Sequence, residues 1–313
     1  MSQPAVTPGT AAPPPATPAA ALAQMVPEAM ARQNSIAPLL ASLATIVTRP
    51  GVLPEPVLRA ALQILGQRVQ LPPNGPTADL VRTAIERSGV FLEANLARGG
   101  TATPDIKASL TGLRATLASV LGSNAPPVEP ALQAAPPLKG MPPRAVPADL
   151  PPLPEAGRDL ARALHQQADS AVSRIRLMQF ASLPDADPAR VMAPELRLEV
   201  PFLIGSELVM AQFQVLRDGA RKRSDGKRGW VMRFAMNFSA TGEVGAEIGL
   251  MGRTVSVALW AAEAEMARRL EAALPELAPA LAAAGLSAGS IRVRSAPPEP
   301  EAVRSGSYVD SLR

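Results

Sequence analysis

The chain has few residues that could carry acid–base or nucleophilic chemistry. It contains no cysteine and a single histidine, His165, which lies beside Gln166 and Gln167 on the polar side of a predicted helix. Histidine is the usual acid–base group at neutral pH, but an exposed helical histidine is the simpler interpretation here. The lack of cysteine excludes disulfides and thiolate metal sites without fixing the compartment.

Carboxylates and glycines form no catalytic constellation either. Glu243 and Glu247 share one face of a predicted strand, and we expect an ordinary solvated face without a partner that would tune either carboxylate for acid–base chemistry. The neighbouring glycines lack the lysine and serine of a phosphate-binding loop, and we interpret them as turn and bulge positions. They are Gly242, Gly245, Gly249 and Gly252. The sequence therefore gives no reason to propose an enzyme, a cofactor or a metal site.

Positive charge is concentrated in a predicted loop at residues 218–228. Its cations are Arg221, Lys222, Arg223, Lys227 and Arg228. Clustered cations can bind phosphates through counterion release, but the loop has no aromatic residue for base stacking, and Asp218 and Asp225 dilute its field. A solvated hairpin tip is the favoured interpretation. An acidic protein partner and nucleic acid are the alternatives, with nucleic acid unlikely.

Strict two-residue alternation around this loop predicts an antiparallel meander. Its first strand has a buried face of Trp230, Met232, Phe234, Met236 and Phe238. A second strand alternates from Val244 to Leu250, and a third carries Val255, Val257 and Leu259. Glycine-containing turns connect them. Upstream, Leu196 to Phe202 and residues 207–216 predict two further strands.

A long apolar helix should follow the meander from about Glu263. Its stripe is Met266, Leu270, Leu274, Leu277 and Leu281, which can lie on one face of the sheet. Gly285 is predicted to be the C′ residue. Because Pro275 and Pro279 interrupt the helical hydrogen bonds, we expect a kink or two short helices. Ile291 and Val293 then predict a closing strand.

These residues are similar to a known family. Residues 244–293, with the run RTVSVALWAAEAEMARRLEAALPELAPALAAAGL, resemble the C-terminal domain of flagellar hook-length control proteins. Residues 87–97, 105–110 and 174–185 resemble interior segments of that family, in the same order. The resemblance implies a protein exported by the flagellar type III machine that controls hook length and switches export from hook-type to filament-type cargo. It implies cytoplasmic synthesis, secretion through the hook–basal body, and no enzymatic activity.

The resemblance also implies partners. The C-terminal domain would bind the flagellar export-gate switch protein, and the N-terminal part would contact hook and hook-cap subunits. Val255, Val257 and Trp260 match the family's strand and the start of its helix, and we predict them as partner-binding residues. Core packing is the more ordinary role for the two valines. Trp260 is on the opposite face of the strand and should be exposed if the helix covers only one side.

Composition sets the expected domain organisation. The chain of 313 residues has 35 prolines, 3% aromatic residues and a net charge of +4. Such a chain buries little large apolar surface to offset a backbone entropy cost of about 1–2 kcal/mol per ordered residue. We therefore expect marginal packing outside residues 195–294. We do not expect a secretory leader or a membrane span.

The fold class predicted is α+β: a C-terminal, mostly antiparallel sheet with one kinked or paired helix on a face, after a partly helical, largely disordered N-terminal half rich in proline and alanine. The predicted segments are a disordered, export-signal-like 1–27, a helical 28–122, a proline-rich linker 123–154, a helix 155–190, the hook-length-control-like domain 191–295 and a flexible tail 296–313. The helices of 28–122 could form a small bundle or be transient. The alternative function is a non-exported cytoplasmic adaptor that binds a protein partner through the C-terminal domain.

Overall fold

The computed structural model describes residues 18–49, 51–100, 105–122, 134–145, 152–155, 157–183, 194–217, 229–294 and 296–297. The predictions for residues 1–17, for the basic loop at 218–228 and for the tail beyond 297 lie outside these ranges. The described residues form a helical layer, a seven-stranded sheet and one further helix on that sheet. The predicted α+β class is confirmed, whereas the predicted segment boundaries stay predictions.

Eight helices and seven strands occur in the described residues. The helices are α1 (Pro18–Arg32), α2 (Ala37–Ile46), α3 (Glu55–Leu65), α4 (Ala78–Glu86), α5 (Leu92–Ala97), α6 (Ile106–Leu121), α7 (Gly157–Ala181) and α8 (Ala264–Ala283). The strands are β1 (Val69–Gln70), β2 (Glu195–Ile204), β3 (Glu207–Arg217), β4 (Trp230–Phe238), β5 (Gly242–Met251), β6 (Thr254–Ala261) and β7 (Ser287–Arg294). Helix α1 begins inside the segment for which the sequence predicts disorder.

Helices α1, α2, α3 and α6 pack with α7 into a bundle. Every residue of the stripe predicted for α7 is buried: Leu160, Leu164, Ala168, Ala171, Ile175 and Met178. The surfaces that cover this helix belong to α1, α2 and α6. A fully buried leucine or isoleucine contributes about 1.5–3 kcal/mol, and this cluster contains many of them. The described helices therefore form a packed core, contrary to the expectation of marginal packing outside residues 195–294.

The spacing of apolar residues predicts buried stripes that include Leu62 on α3 and Val120 on α6. In the structure both stripes are rotated from these positions. On α3, Leu62 is 57% exposed and Ile64 is buried instead, while on α6 Val120 is exposed and Leu121 is buried. Each shift is one or two positions, because several adjacent residues can border a wide apolar face. At the start of α6, Asp105 is the N-cap and accepts hydrogen bonds from the Lys107 and Ala108 amides. The sequence pattern of Thr103, Pro104 and Asp105 predicts Thr103 as the cap of this helix, and that prediction is wrong.

The sheet has the strand order β1-β2-β3-β4-β5-β6-β7. Strands β2 to β6 are antiparallel neighbours, so the predicted meander is confirmed. Strand β1 pairs in parallel with β2, and β7 pairs in parallel with β6 after the α8 crossover. The sequence did not predict β1, which has only two residues. Strand β1 lies between α3 and α4 in the chain, so its pairing with β2 joins the helical part to the sheet by backbone hydrogen bonds.

The two faces of the sheet differ in what covers them. We name the face that carries Val255 and Val257 the α8 face, because α8 packs on β6 and these valines are buried, whereas Thr254 and Ser256 on the other face are exposed. We name the other face, which carries Trp260, the strap face, because residues 134–145 (the strap) contact β2 and β5 there. On the strap face, the bundle packs against β2 through α7.

Helix α8 is one helix that continues through Pro275 and Pro279. The predicted alternative of two short helices is therefore wrong. Both prolines are exposed, where the lost backbone hydrogen bonds face water. All five residues of its predicted stripe are half-buried, and none is fully buried. The helix is thus a thin cover on β6 and β7 rather than part of a deep core.

Helix α8 ends as the sequence predicts. Gly285 has φ 74°, and its amide bonds to the Ala282 carbonyl at 2.9 Å. The Leu286 amide bonds to the Leu281 carbonyl, also at 2.9 Å. These two bonds form a Schellman motif, which places Gly285 at C′.

Candidate partner-binding site

The two predicted valines are core residues of the sheet. Val255 and Val257 are buried on the α8 face, and α8 packs against their strand. Val257 pairs with Ile248 across β5 and with Ile291 across β7. The structure therefore supports the packing role for both side chains in this conformation. Their role as partner-binding residues stays a prediction.

Trp260 lies on the opposite face from the valines, as the sequence predicts. It is only 1% exposed, however, so the expectation that it is exposed is wrong. Its ring lies over Gly245: a Cβ on that glycine would be 2.2 Å from Trp260 Cζ2 and 2.6 Å from the Phe234 carbonyl oxygen. Gly245 is thus a packing position that leaves room for the Trp260 indole, and it is not a turn or bulge residue.

The exposed tryptophan is Trp230. The sequence predicts it on the buried face of β4, but it is 49% exposed. It occupies the last pair of that strand, opposite Arg217 on β3 and Leu250 on β5. The Arg217 guanidinium lies 5.9 Å from the centroid of its ring. The most buried residue of β4 is instead Ala235, on the strap face.

The middle of the α8 face is only partly covered. Met232, Phe234 and Ile248 are half-buried there, between α8 on β6–β7 and α4 on β2. Phe234 contacts Phe213 with ring centroids 6.0 Å apart. An apolar strip therefore runs along this face and ends at Trp230.

The strap face carries a buried polar network centred on Arg174 of α7. Arg174 Nε donates to Glu199 Oε1 on β2 at 2.7 Å, and Nη1 donates to Gln33 Oε1 at 2.6 Å. Nη1 also donates to the Ala135 carbonyl at 2.9 Å. One guanidinium thus joins α7, the sheet, the residue after α1 and residue 135. The sequence did not predict this polar network, although charged residues alternate with apolar residues along β2.

A second group of polar contacts holds the strap, residues 134–145. Glu195 Oε2 accepts from the Gly140 amide at 2.9 Å. Arg197 donates to the Met141 carbonyl and pairs with Glu195. At the far end of the strap, Arg144 pairs with Glu243 at 3.1 Å. The strap thus crosses the sheet from β2 to β5.

The face that carries Glu243 and Glu247 is only partly solvated, and each carboxylate has an ion-pair partner there. Glu243 has the strap contacts, and Glu247 pairs with Arg233 at 2.9 Å and with Arg294 at 3.7 Å. Both glutamates lie on the strap face, in pairs with Asn237 and Arg233 of β4. Their charge positions neighbouring cations and the strap.

His165 is buried, so its predicted exposure is also wrong. In the described residues its Nδ1 has no hydrogen-bond partner, and neither has Oδ2 of Asp169, one turn further along α7. Asp169 Oδ1 accepts from Arg114 of α6 at 2.6 Å. Burial lowers the pKa of His165, Asp169 opposes this shift, and Arg114 adds to it. The neutral imidazole is therefore the form that suits the bundle.

Acidification should destabilise the bundle through His165. Because the folded pKa is lowered from 6.5, the unfolded chain binds more protons as the pH falls below that value. The stabilising contribution is complete above about pH 6.5 and is lost as the pH falls towards the folded pKa. Between about pH 7.5 and pH 5.5, the melting temperature should fall less for His165→Gln than for the unchanged chain. Equal losses would contradict this assignment.

The described residues contain no group of three or more histidine, aspartate and glutamate side chains that could hold a metal ion. None of the described helices has the length and hydropathy needed to cross a membrane. Two surfaces of the described residues are the candidate partner-binding sites: the apolar strip with Trp230 on the α8 face, and the strap with its contacts on the other.

Comparison with known proteins identifies the matched part of this sheet. No curated protein and no solved structure gives a significant match to the chain. The family model described as flagellar hook-length control protein FliK matches residues 219–301. In the described residues, this range contains β4, β5, β6, α8 and β7. The chain therefore carries a domain of the flagellar hook-length control protein family.

Proposed function

We propose that this chain controls flagellar hook length and switches the export machine from hook-type to filament-type cargo. The observation that carries the proposal is the family match at residues 219–301, which coincides with the module from β4 to β7. In this proposal the module meets the export-gate switch protein. The preceding residues travel through the growing hook and contact hook and hook-cap subunits. The protein is thus made in the cytoplasm and secreted through the hook–basal body.

The helical layer gives the ruler role a physical basis. An extended chain spans about 3.3–3.6 Å per residue, whereas a helix spans about 1.5 Å per residue. Helices α2, α3 and α6 share one buried core with α7 before any transit, so passage through a narrow channel requires this bundle to open. The length that the chain reports would then depend on how much helix re-forms during transit.

Deletion of the gene tests the proposal. Electron microscopy of the mutant cells should show abnormally long hooks without filaments, and complementation should restore hooks of uniform length with filaments. Normal flagella in the deletion strain would contradict both parts of the proposed function.

A non-exported adaptor is the second candidate, and the packing of the bundle against the sheet favours it. Helix α7 contacts β2, and α2 contacts β3, so export would have to disrupt a folded unit. Immunoblots of culture supernatant separate the two functions. Full-length protein in the medium supports export, and strict retention in cells supports the adaptor.

Trp230 is our candidate contact residue for the gate, in addition to the predicted Val255, Val257 and Trp260. Exposed tryptophans are frequent binding hot spots, where truncation costs about 2 kcal/mol or more. Trp230→Ala should therefore weaken partner binding by about 30-fold. Cells that carry it should have long hooks and few filaments.

Stability provides the control for Trp230. Half of the Trp230 side chain is buried and its ring contacts Arg217, so Trp230→Ala should lose about 1–2 kcal/mol of stability and still unfold in one cooperative transition above the assay temperature. Leu96→Ala, at a 50% exposed apolar position on α5, is the matched control for hook length and filaments. Normal flagella with Trp230→Ala would remove this residue from the contact surface.

A further inference from the structure

We infer that the strap face is a binding groove for an extended, proline-containing segment of a partner protein. Residues 134–145 occupy the groove in this structure, and the partner's segment replaces them. This inference goes beyond the proposed function, since it concerns a second surface and a stated ligand chemistry. It does not depend on the identity of the partner.

The end of the strap crosses from β2 to β5 in few residues, whereas hydrogen bonds from the Leu138 and Met141 amides turn the strap at residues 136–141. Met141 is held at β2 by Arg197, and the Ala145 amide lies 3.4 Å from Glu243 Oε1 on β5. Strands β2 and β5 are three strand spacings apart, which is about 14–15 Å. The four Cα–Cα steps from residue 141 to residue 145 reach at most about 13–14 Å. An extended chain of this length crosses the distance, because the Arg197 and Glu243 side chains bridge part of it.

Prolines suit such a crossing. Pro142 and Pro143 are buried, and they lie between the anchor on β2 and the anchor on β5. A polyproline-type segment is already extended before it binds, so it loses little conformational entropy. The sequence of the strap therefore shows which class of peptide the groove accepts.

Two buried donors show that the strap does not satisfy the groove. Gln212 and Trp260 lie in one row across the sheet, with Ala235 and Gly245 between them. Within the described residues, neither Gln212 Nε2 nor Trp260 Nε1 has a hydrogen-bond acceptor. Buried donors usually have partners. An extended peptide has carbonyl acceptors at every residue, so a segment in a different register can satisfy both donors.

The far end of the strap is the end that opens. Its ion pair joins Arg144, with a side chain 59% exposed, to Glu243, with a side chain 16% exposed. Exposed ion pairs stabilise weakly, whereas the anchor at Glu195 and Arg197 is buried. A partner's segment with a cation at the position of Arg144 would take over the contact with Glu243.

Peptide binding to the full-length chain tests the inference. The probe is a dye-labelled synthetic peptide with the sequence of residues 134–145, followed by fluorescence anisotropy. The loosened variant carries Pro142→Gly, Pro143→Gly and Arg144→Ala, which weakens the resident strap and leaves the groove intact. Because a competing internal segment reduces the apparent affinity by the fraction of open groove, the loosened variant should bind the peptide at least about tenfold more tightly.

Matched variants separate the groove from a merely structural contact. The free peptide is not tethered as the strap is, so it can shift its register until its carbonyls accept from Gln212 Nε2 and Trp260 Nε1. In the loosened chain, Gln212→Leu with Trp260→Phe removes both donors and should therefore weaken peptide binding at least about tenfold. The melting temperature should stay equal or rise, because a buried donor without an acceptor costs stability. A peptide with glycine at both proline positions should bind less tightly than the original.

Three results would overturn the inference: no peptide binding by the folded loosened variant, equal affinity of the loosened and unchanged chains, or full affinity after loss of both donors. If the triple substitution prevents folding, Arg144→Ala alone is the loosened variant, since Arg144 is exposed. These measurements use purified protein and peptide. Their failure would leave the hook phenotype of the deletion strain, and so the proposed function, unaffected.

Discussion

Gly245→Ala should destabilise the sheet by about 3 kcal/mol, at the upper end of the cost of overpacking a core. A Cβ at this position would be 2.2 Å from the Trp260 ring and 2.6 Å from the Phe234 carbonyl. The ring is only 1% exposed and so has little room to move, and the carbonyl belongs to a paired strand. Thermal melts should show a fall of roughly 6–12 °C for a folded region of 150–250 residues.

Gly249→Ala is the matched control on the same strand. Nothing lies within 4 Å of a Cβ at Gly249, so this variant should melt at or slightly above the temperature of the unchanged chain. Trp260→Leu in the Gly245→Ala chain should recover part of the lost stability, because the smaller side chain vacates the space of the ring. Equal melting temperatures for Gly245→Ala and Gly249→Ala would contradict the packing described for Trp260.

The meander, α8 and its cap were predictable because local rules determine them. Alternation of period two specifies the strands, and the spacing of Met266 to Leu281 specifies the half-buried stripe of α8. Gly285 is at C′ because a positive φ is accessible to glycine. Each feature depends on residues that are close together in sequence.

The burial of the two tryptophans was not predictable by the same rules. Trp230 continues the alternation of β4, but it occupies the last pair of the strand and is left half exposed. Trp260 is buried on the face opposite α8, where the strap crosses from β2 to β5. The strap comes from more than 100 residues earlier in the chain, and sequence patterns specify no contact at that distance.

The candidate sites also divide into those that local sequence patterns predict and those that depend on contacts between distant residues. The sequence predicts the module that matches the hook-length control family, and it assigns Val255, Val257 and Trp260 to opposite faces of β6. It misses the Arg174 network, because Arg174 looks like an ordinary charged residue on a helix. Only the packing of α7 on β2 brings this arginine to Glu199 and buries it at the centre of the network.

Loss of the Arg174 side chain should be the most destabilising single change to the helical layer. The side chains of Arg174 and Glu199 are only 3% and 7% exposed. Arg174→Met would leave the Glu199 carboxylate buried without its cation, and removal of one partner of a buried pair costs about 3–5 kcal/mol. Gln33 and Ala135 would lose their donor as well. Urea unfolding should measure the loss as a lower midpoint with an unchanged slope.

The double variant Arg174→Met, Glu199→Met distinguishes a lost interaction from an isolated charge. Replacing a whole buried ion pair by apolar residues is often neutral or stabilising, so the double variant should be more stable than Arg174→Met alone. Arg82→Met, which removes the exposed pair with Asp79, should change the free energy of unfolding by about 0.5 kcal/mol or less. If Arg174→Met were as mild as Arg82→Met, α7 would not be anchored to the sheet through this pair. The bundle would then be free to leave the sheet without disrupting a buried charge.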